Sequence, residues 1–184
     1  CRLCEQRYHG VVHCALGWAC WKTYVGRPEA DQDRLDAMNL LGNGLSYGGH
    51  HEDALSVRET DLSMMRRHGG SESDLLIVQG NLANTYNSLG RREEALSMRR
   101  ELYSETSKLY GEEHRDALRE ANNYAAALKH LNRHKEAKSL LRKTLPVARR
   151  VLGENHDLIL TMRWIYAEAL YNDPAATLDA LREA

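Results

Sequence analysis

Asn81-Leu82-Ala83-Asn84-Thr85-Tyr86, running on to Gly90-Arg91-Arg92-Glu93-Glu94-Ala95-Leu96, is the stretch that decides the fold, because the chain contains it three times. Upstream stands Leu40-Leu41-Gly42-Asn43-Gly44-Leu45 with Gly49-His50-His51-Glu52-Asp53-Ala54-Leu55. Downstream stands Asn123-Tyr124-Ala125-Ala126-Ala127-Leu128 with Asn132-Arg133-His134-Lys135-Glu136-Ala137-Lys138. Ala54, Ala95 and Ala137 keep one register, as do Leu45, Tyr86 and Leu128, and as do Gly70, Gly111 and Gly153. A fourth, weaker copy starts at Tyr166-Ala167-Glu168-Ala169-Leu170 and continues to Ala180. Self-similarity at a fixed period marks a repeat architecture.

Each unit reads as two helices. A small residue (Gly42, Ala83, Ala125, Ala167) follows a large one and is followed three positions later by another, which places them on one helical stripe where a partner helix comes close. Gly49, Gly90 or Asn132 then ends the first helix in a left-handed turn. The second helix opens on charged residues, crosses at Ala54, Ala95 or Ala137, and ends at Gly70, Gly111 or Gly153. Pro146 is expected to interrupt and kink the third of these second helices, since it lacks a backbone donor. One such hairpin cannot bury both its faces, so the units are expected to stack. The expected fold class is all-α: a right-handed superhelix, or α-solenoid, of antiparallel helix pairs with a concave and a convex surface. About 3.5 units fill residues 31–184, at 34–74, 75–116, 117–158 and 159–184. The array stops inside its fourth unit, which points to further repeats or an adhesive end.

Asn122-Asn123-Tyr124-Ala125, Asn132-Arg133-His134-Lys135-Glu136-Ala137 and Leu152-Gly153-Glu154-Asn155-His156 together resemble the long tetratricopeptide repeat of kinesin light chains. Gln79-Gly80-Asn81-Leu82-Ala83 and Tyr110-Gly111-Glu112-Glu113-His114 match the pattern again, whereas the connector Gly69-Gly70-Ser71-Glu72-Ser73 lacks the His. The likeness covers roughly residues 34–184. It implies a groove lined by the first helix of each unit, in which Asn side chains hold the backbone of an extended protein or peptide ligand. Carried over by position, the groove residues are Asn39, Asn43, Asn84, Asn87, Arg119, Asn122, Lys129, His130, Trp164 and Glu168. An Asn amide both donates and accepts, so it matches a peptide unit whatever the side chain. Arg119 and Lys129 would favour acidic ligands, and Glu168 would oppose them.

The N-terminal segment reads differently. Cys1-Arg2-Leu3-Cys4 carries half of a zinc-site spacing, and Cys1 to Gly10 resembles the closing pair of RING-variant (RING-CH) zinc domains. That resemblance implies residues 1–10 as the tail of a truncated finger, with Cys1 and Cys4 as metal ligands only in a complete parent protein. Zinc is then a cofactor of that parent, and the fragment itself needs none. The alternative function it implies is the substrate-recognition part of a RING-variant E3 ubiquitin ligase. Residues 11–30 read as a capping helix and linker, with Trp18, Trp21 and Tyr24 packed on the first repeat and Asp31 or Asp33 capping the next helix. Cys14 and Cys20 diverge by about 120° on that helix and read as buried, inert thiols.

Composition narrows the function classes. The chain is 42% hydrophobic and 28% charged with a formal net charge of −1, which argues for a globular protein and against a nucleic-acid partner, whose phosphates demand an excess of Lys and Arg. The Arg66-Arg67, Arg91-Arg92, Arg99-Arg100 and Arg149-Arg150 pairs sit among acids and read as solvated faces. No run approaches the ~20 apolar residues of a membrane span. Four cysteines confined to the first twenty residues make no distributed disulfide framework and fit a reducing, intracellular, cytoplasmic setting. No Gly-rich phosphate loop and no Gly-x-Ser-x-Gly nucleophile turn occurs, so no enzymatic activity is expected. His50-His51 point apart on a helix, and His114 and His156 recur with the repeat and belong to its connectors.

Overall fold

A computed structural model describes residues 10–173. They form eight helices: α1 (Val11–Tyr24), α2 (Gln32–Tyr47), α3 (His51–His68), α4 (Glu72–Ser88), α5 (Arg92–Tyr110), α6 (Arg115–His130), α7 (His134–Leu152) and α8 (Asp157–Tyr171). No strand occurs among the described residues. Cys1, Cys4 and the second helix expected around Ala180 lie outside them. The chain divides into two compact units, Cys1–Arg91 and Arg92–Ala184.

In the first unit α1 packs on α2, α2 on α3 and α3 on α4. Asp31 caps α2 by accepting from the Arg34 amide, and Ser71 caps α4 by accepting from Asp74. These bonds satisfy donors that a helix start leaves open. Leu41, Leu45 and Ala54 form a core cluster to which Cys14, Trp21 and Val57 add. The α1–α2 crossing is made by glycines: a Cβ on Gly17 would lie 2.9 Å from the Leu40 carbonyl oxygen, and one on Gly44 would lie 2.8 Å from that of His13. The two backbones therefore touch.

That crossing agrees with the expectation for Trp21, which packs on the Leu41–Leu45–Ala54 cluster, and corrects it for Trp18. Cys14, Gly17 and Trp21 share the face turned to α2, whereas Trp18, one residue and about 100° further round, stays 44% exposed. Cys14 and Cys20 are free thiols of intermediate burial.

In the second unit α6 packs against α5, α7 and α8, and α7 against α8. Leu118, Ala125, Leu141, Leu145, Ala148, Ile159, Met162 and Ile165 make one core cluster; Leu96, Leu128, Ala137 and Ala169 make another. His114 and His156 cap α6 and α8, each ring Nδ1 accepting a backbone N–H, from Asp116 at 3.2 Å and Leu158 at 3.1 Å. The recurring histidines are thus helix caps, and Ser71 takes that task in the connector that lacks one.

The crossing alanines are buried: Ala54 0%, Ala95 4% and Ala137 0% exposed. Gly49, Gly90 and Asn132 all hold positive φ, at 82°, 75° and 57°, so the turn after each first helix is left-handed as expected. Two local expectations need correcting. Helix α3, expected to end at Gly70, ends at His68 with Gly69 as its left-handed cap, φ 74°; this connector differs in length from the others. Nor does Pro146 interrupt α7, which is helical from His134 to Leu152. The proline is exposed, so the carbonyl it leaves without a helical donor is on the solvent side of the helix.

Candidate functional site

The residues expected to line a groove fall into two groups of different character. In the first unit, α2 and α4 carry the Asn side chains, and α3 supplies the group that organises them. Arg58 of α3 is buried. Its Nη2 donates to Asn43 Oδ1 at 2.8 Å, and its Nη1 donates to the Asn81 carbonyl oxygen at 2.9 Å and to Thr85 Oγ1. Asn43 Nδ2 then donates to Asn39 Oδ1 at 3.2 Å, which also accepts from Asn81 Nδ2 at 3.3 Å. Asn39 and Asn43 are therefore half-buried members of a polar layer, their amides engaged inside the protein. Asn84 and Asn87 are exposed on α4.

Burial costs the charged forms in this layer. Desolvation pulls the Arg58 guanidinium down to about 10, partly offset by Asp61. Asp61 is 1% exposed and its Oδ1 is buried without a hydrogen-bond partner. Burial, with the like charge of Asp36 adding to it and Arg58 opposing, pushes its carboxyl up to about 6. Desolvation is the leading cause for both groups.

In the second unit α6 and α8 carry the remaining residues. Asn122 is 9% exposed and its Oδ1 is buried without a hydrogen-bond partner. Its neighbour Asn123 donates to Glu120, whose Oε2 also receives Arg99 Nη1 at 3.0 Å in an almost fully buried ion pair. Arg119 is exposed and bonds Asp116 at 2.7 Å, beside a depression lined by His114, Leu152, His156 and Leu158. His130 is exposed at the end of α6.

Lys129, Trp164 and Glu168 come together. The Lys129 ammonium lies 3.8 Å from the Trp164 ring centroid and 3.6 Å from Glu168 Oε2. Its side chain is only 11% exposed, while Trp164 is 60% exposed. Such a cation over an indole face is held by the ring quadrupole. The expected preference for acidic ligands meets a local obstacle here, because Glu168 neutralises Lys129 just as Asp116 neutralises Arg119.

Sequence reasoning missed Arg58, Asn81, Thr85 and the Arg99–Glu120 pair. A signal existed: Arg58 and Arg99 each follow a crossing alanine, Ala54 or Ala95, by four residues, and so share its buried helical face. Among the described residues no three His, Cys, Asp or Glu side chains gather to hold a metal ion. None of the helices described is long and apolar enough to cross a membrane.

Comparison with known proteins accords with this architecture. Residues 74–146 match the tetratricopeptide repeat family model. A search of curated proteins finds no match. Among solved structures, the chain is similar to nearly identical TPR-like repeats from a Podosopora anserina protein described as a kinesin light chain. That match has 17% identity, covers 94% of this chain and 92% of the other, and has a TM-score of 0.72. BtubC (BKLC) from P. vanneervenii matches with 17% identity, 94% and 69% coverage, and a TM-score of 0.75. A Rap protein complexed with Competence and Sporulation Factor matches with 15% identity, 93% and 47% coverage, and a TM-score of 0.67. At these identities the likeness is one of fold, and the fold is all-α and TPR-like. These matches concern helical repeats and lend nothing to a zinc finger or a ubiquitin ligase.

Proposed function

We propose that this chain is a protein-interaction module in which the first helices of the repeats present Asn side chains to an extended peptide. The observation that carries the reading is Asn122, whose side-chain oxygen is buried with no donor among the described residues. A buried polar atom left unpaired costs about 1–3 kcal/mol, and a turn of the Asn122 side chain toward the surface brings its amide to a peptide N–H. Asn84 and Asn87 add exposed amides on α4. The Rap protein of like fold, solved with a bound factor, lends this reading a precedent.

The test is selection of peptides from a randomised display library on the intact chain, followed by fluorescence polarisation with the selected sequences. Asn84→Ala together with Asn122→Ala is expected to weaken binding about tenfold, the loss of one or two hydrogen bonds, while helix content stays unchanged and the melting temperature, relieved of the unpaired Asn122 oxygen, does not fall. Selected peptides that bind the doubly substituted chain as well as the original would refute the reading. So would a library that yields no binder.

A further inference from the structure

The second helices α3, α5 and α7 begin at the equivalent residues His51, Arg92 and His134, so their solvent faces compare position by position. Where α3 presents Glu52, Glu59 and Thr60, α5 presents Glu93, Arg100 and Glu101, and α7 presents Lys135, Arg142 and Lys143. All nine side chains are exposed. Stacking does not demand the change, because the buried crossing residue is Ala in every copy. At these three positions the exposed charges are thus acidic on α3, mixed on α5 and basic on α7.

The basic groups of α7 differ in how they are engaged. Lys138, Arg149 and Arg150 pair with Asp173, Glu154 and Glu113. Lys135, Arg142 and Lys143 make no ion pair among the described residues. The acid on the same helix, Glu136, is closed by a two-pronged bond from Arg133 at 2.6 and 2.8 Å. Lys143 borders a trough between α5 and α7 of about 390 Å³ whose lining includes Tyr103, Tyr124, Leu140 and Val147. Glu112 and Glu136 also border it; Glu136 is held by Arg133, and Glu112 is the opposing charge a partner must avoid.

We propose that the outer face of α7 docks an acidic, extended segment of a partner protein, its carboxylates meeting Lys135, Arg142 and Lys143. Spacing supports an extended chain. Seven helical residues from Lys135 to Arg142 rise about 10.5 Å, and residues three apart in an extended strand lie about 10 Å apart. Three cations on one helix fall short of the roughly six to ten phosphate contacts that strong duplex binding uses. This surface is separate from the Asn-bearing first helices.

The experiment uses the intact chain and a fluorescein-labelled peptide with Glu at every third position, in low salt, against its Gln counterpart. The Glu peptide is expected to bind and to be released by added salt. Lys135→Glu, Arg142→Glu and Lys143→Glu combined should weaken it by about tenfold or more, and the milder Gln triple should weaken it less. Asn84→Ala with Asn122→Ala should leave it unchanged, which keeps the two surfaces distinguishable. Circular dichroism checks that the exposed substitutions leave the helices intact. Equal binding of the Glu and Gln peptides, or equal binding by the reversed-charge variant, overturns the proposal. Tighter binding of duplex DNA or phosphatidylserine vesicles at the same site also overturns it, in favour of a different class of anionic partner.

Discussion

Arg58 and Arg99 occupy the same position in successive second helices and are both buried, yet the two units accommodate them in opposite ways. Arg99 meets Glu120 across 3.0 Å, so the second unit cancels its buried charge. Arg58 meets only neutral groups, Asn43, Thr85 and the Asn81 carbonyl oxygen. Three residues on, where the second unit buries Leu102, the first buries Asp61. The first unit therefore carries both signs of charge in its interior without bringing them into an ion pair. A repeat specifies which positions are buried, and each copy then solves the chemistry of those positions for itself.

The largest way to break this comparison is to remove one half of the paired unit. Arg99→Met takes from Glu120 its buried cation, leaving it Asn123 and a longer contact at 3.5 Å to the exposed Arg119, and is expected to cost up to about 3–5 kcal/mol in urea unfolding. Adding Glu120→Leu should return most of that loss, because a buried pair is often no better than apolar packing. If the single and double variants prove equally unstable, the pair is not what balances the charge.

Next comes the acid of the first unit. The Asp61 carboxyl stands at about 6 against an ordinary 3.8, so the folded state holds its proton more tightly than the unfolded one. Its favourable contribution is complete below about pH 4 and disappears as pH rises to about 6, which makes stability fall across that window. Asp61→Asn should flatten this part of the profile and leave the protein up to about 3 kcal/mol more stable than the original above pH 7. Urea midpoints measured from pH 4 to 8 check it; parallel profiles for the two proteins would count against the assignment.

A smaller effect is expected at the α1–α2 crossing, a feature of the first unit. Gly44→Ala places a methyl 2.8 Å from the His13 carbonyl oxygen and should cost about 1–3 kcal/mol. Amide hydrogen exchange should rise first in α1, and unchanged protection there would refute the close contact. The smallest effect compares caps. Ser71→Ala in the first unit and His156→Ala in the second should each cost about 1 kcal/mol, read as a shift in melting temperature. A null result at His156 with a loss at Ser71 would show that imidazole caps contribute less than hydroxyl caps.

Much of this is legible in the residues. The crossing alanines, the left-handed turns at Gly49, Gly90 and Asn132, and the cap at Asp31 follow from local rules about small side chains, positive φ and helix starts. The exposure of Trp18 does not follow, because α1 is apolar on every side and gives no phase from which to choose a buried face. The engagement of Asn39 and Asn43 by Arg58 is hidden for another reason: it depends on a side chain from α3 reaching between α2 and α4. Lys129 likewise looks available along the chain, yet it lies under Trp164 and against Glu168 through a contact between α6 and α8. Periodicity reports which face of a helix is inward, but not which polar atoms meet there.

The histidine caps have a spectroscopic consequence. An imidazole that accepts through Nδ1 holds its proton on Nε2, so the starts of α6 and α8 depend on one tautomer of each ring. Gaining a second proton turns that acceptor into a donor and removes the cap. The ring nitrogens of His114 and His156 thus carry a nitrogen-15 signature that the oxygen caps at Asp31 and Ser71 cannot give. Fraying of α6 and α8 from their first turns can be followed at the level of single atoms.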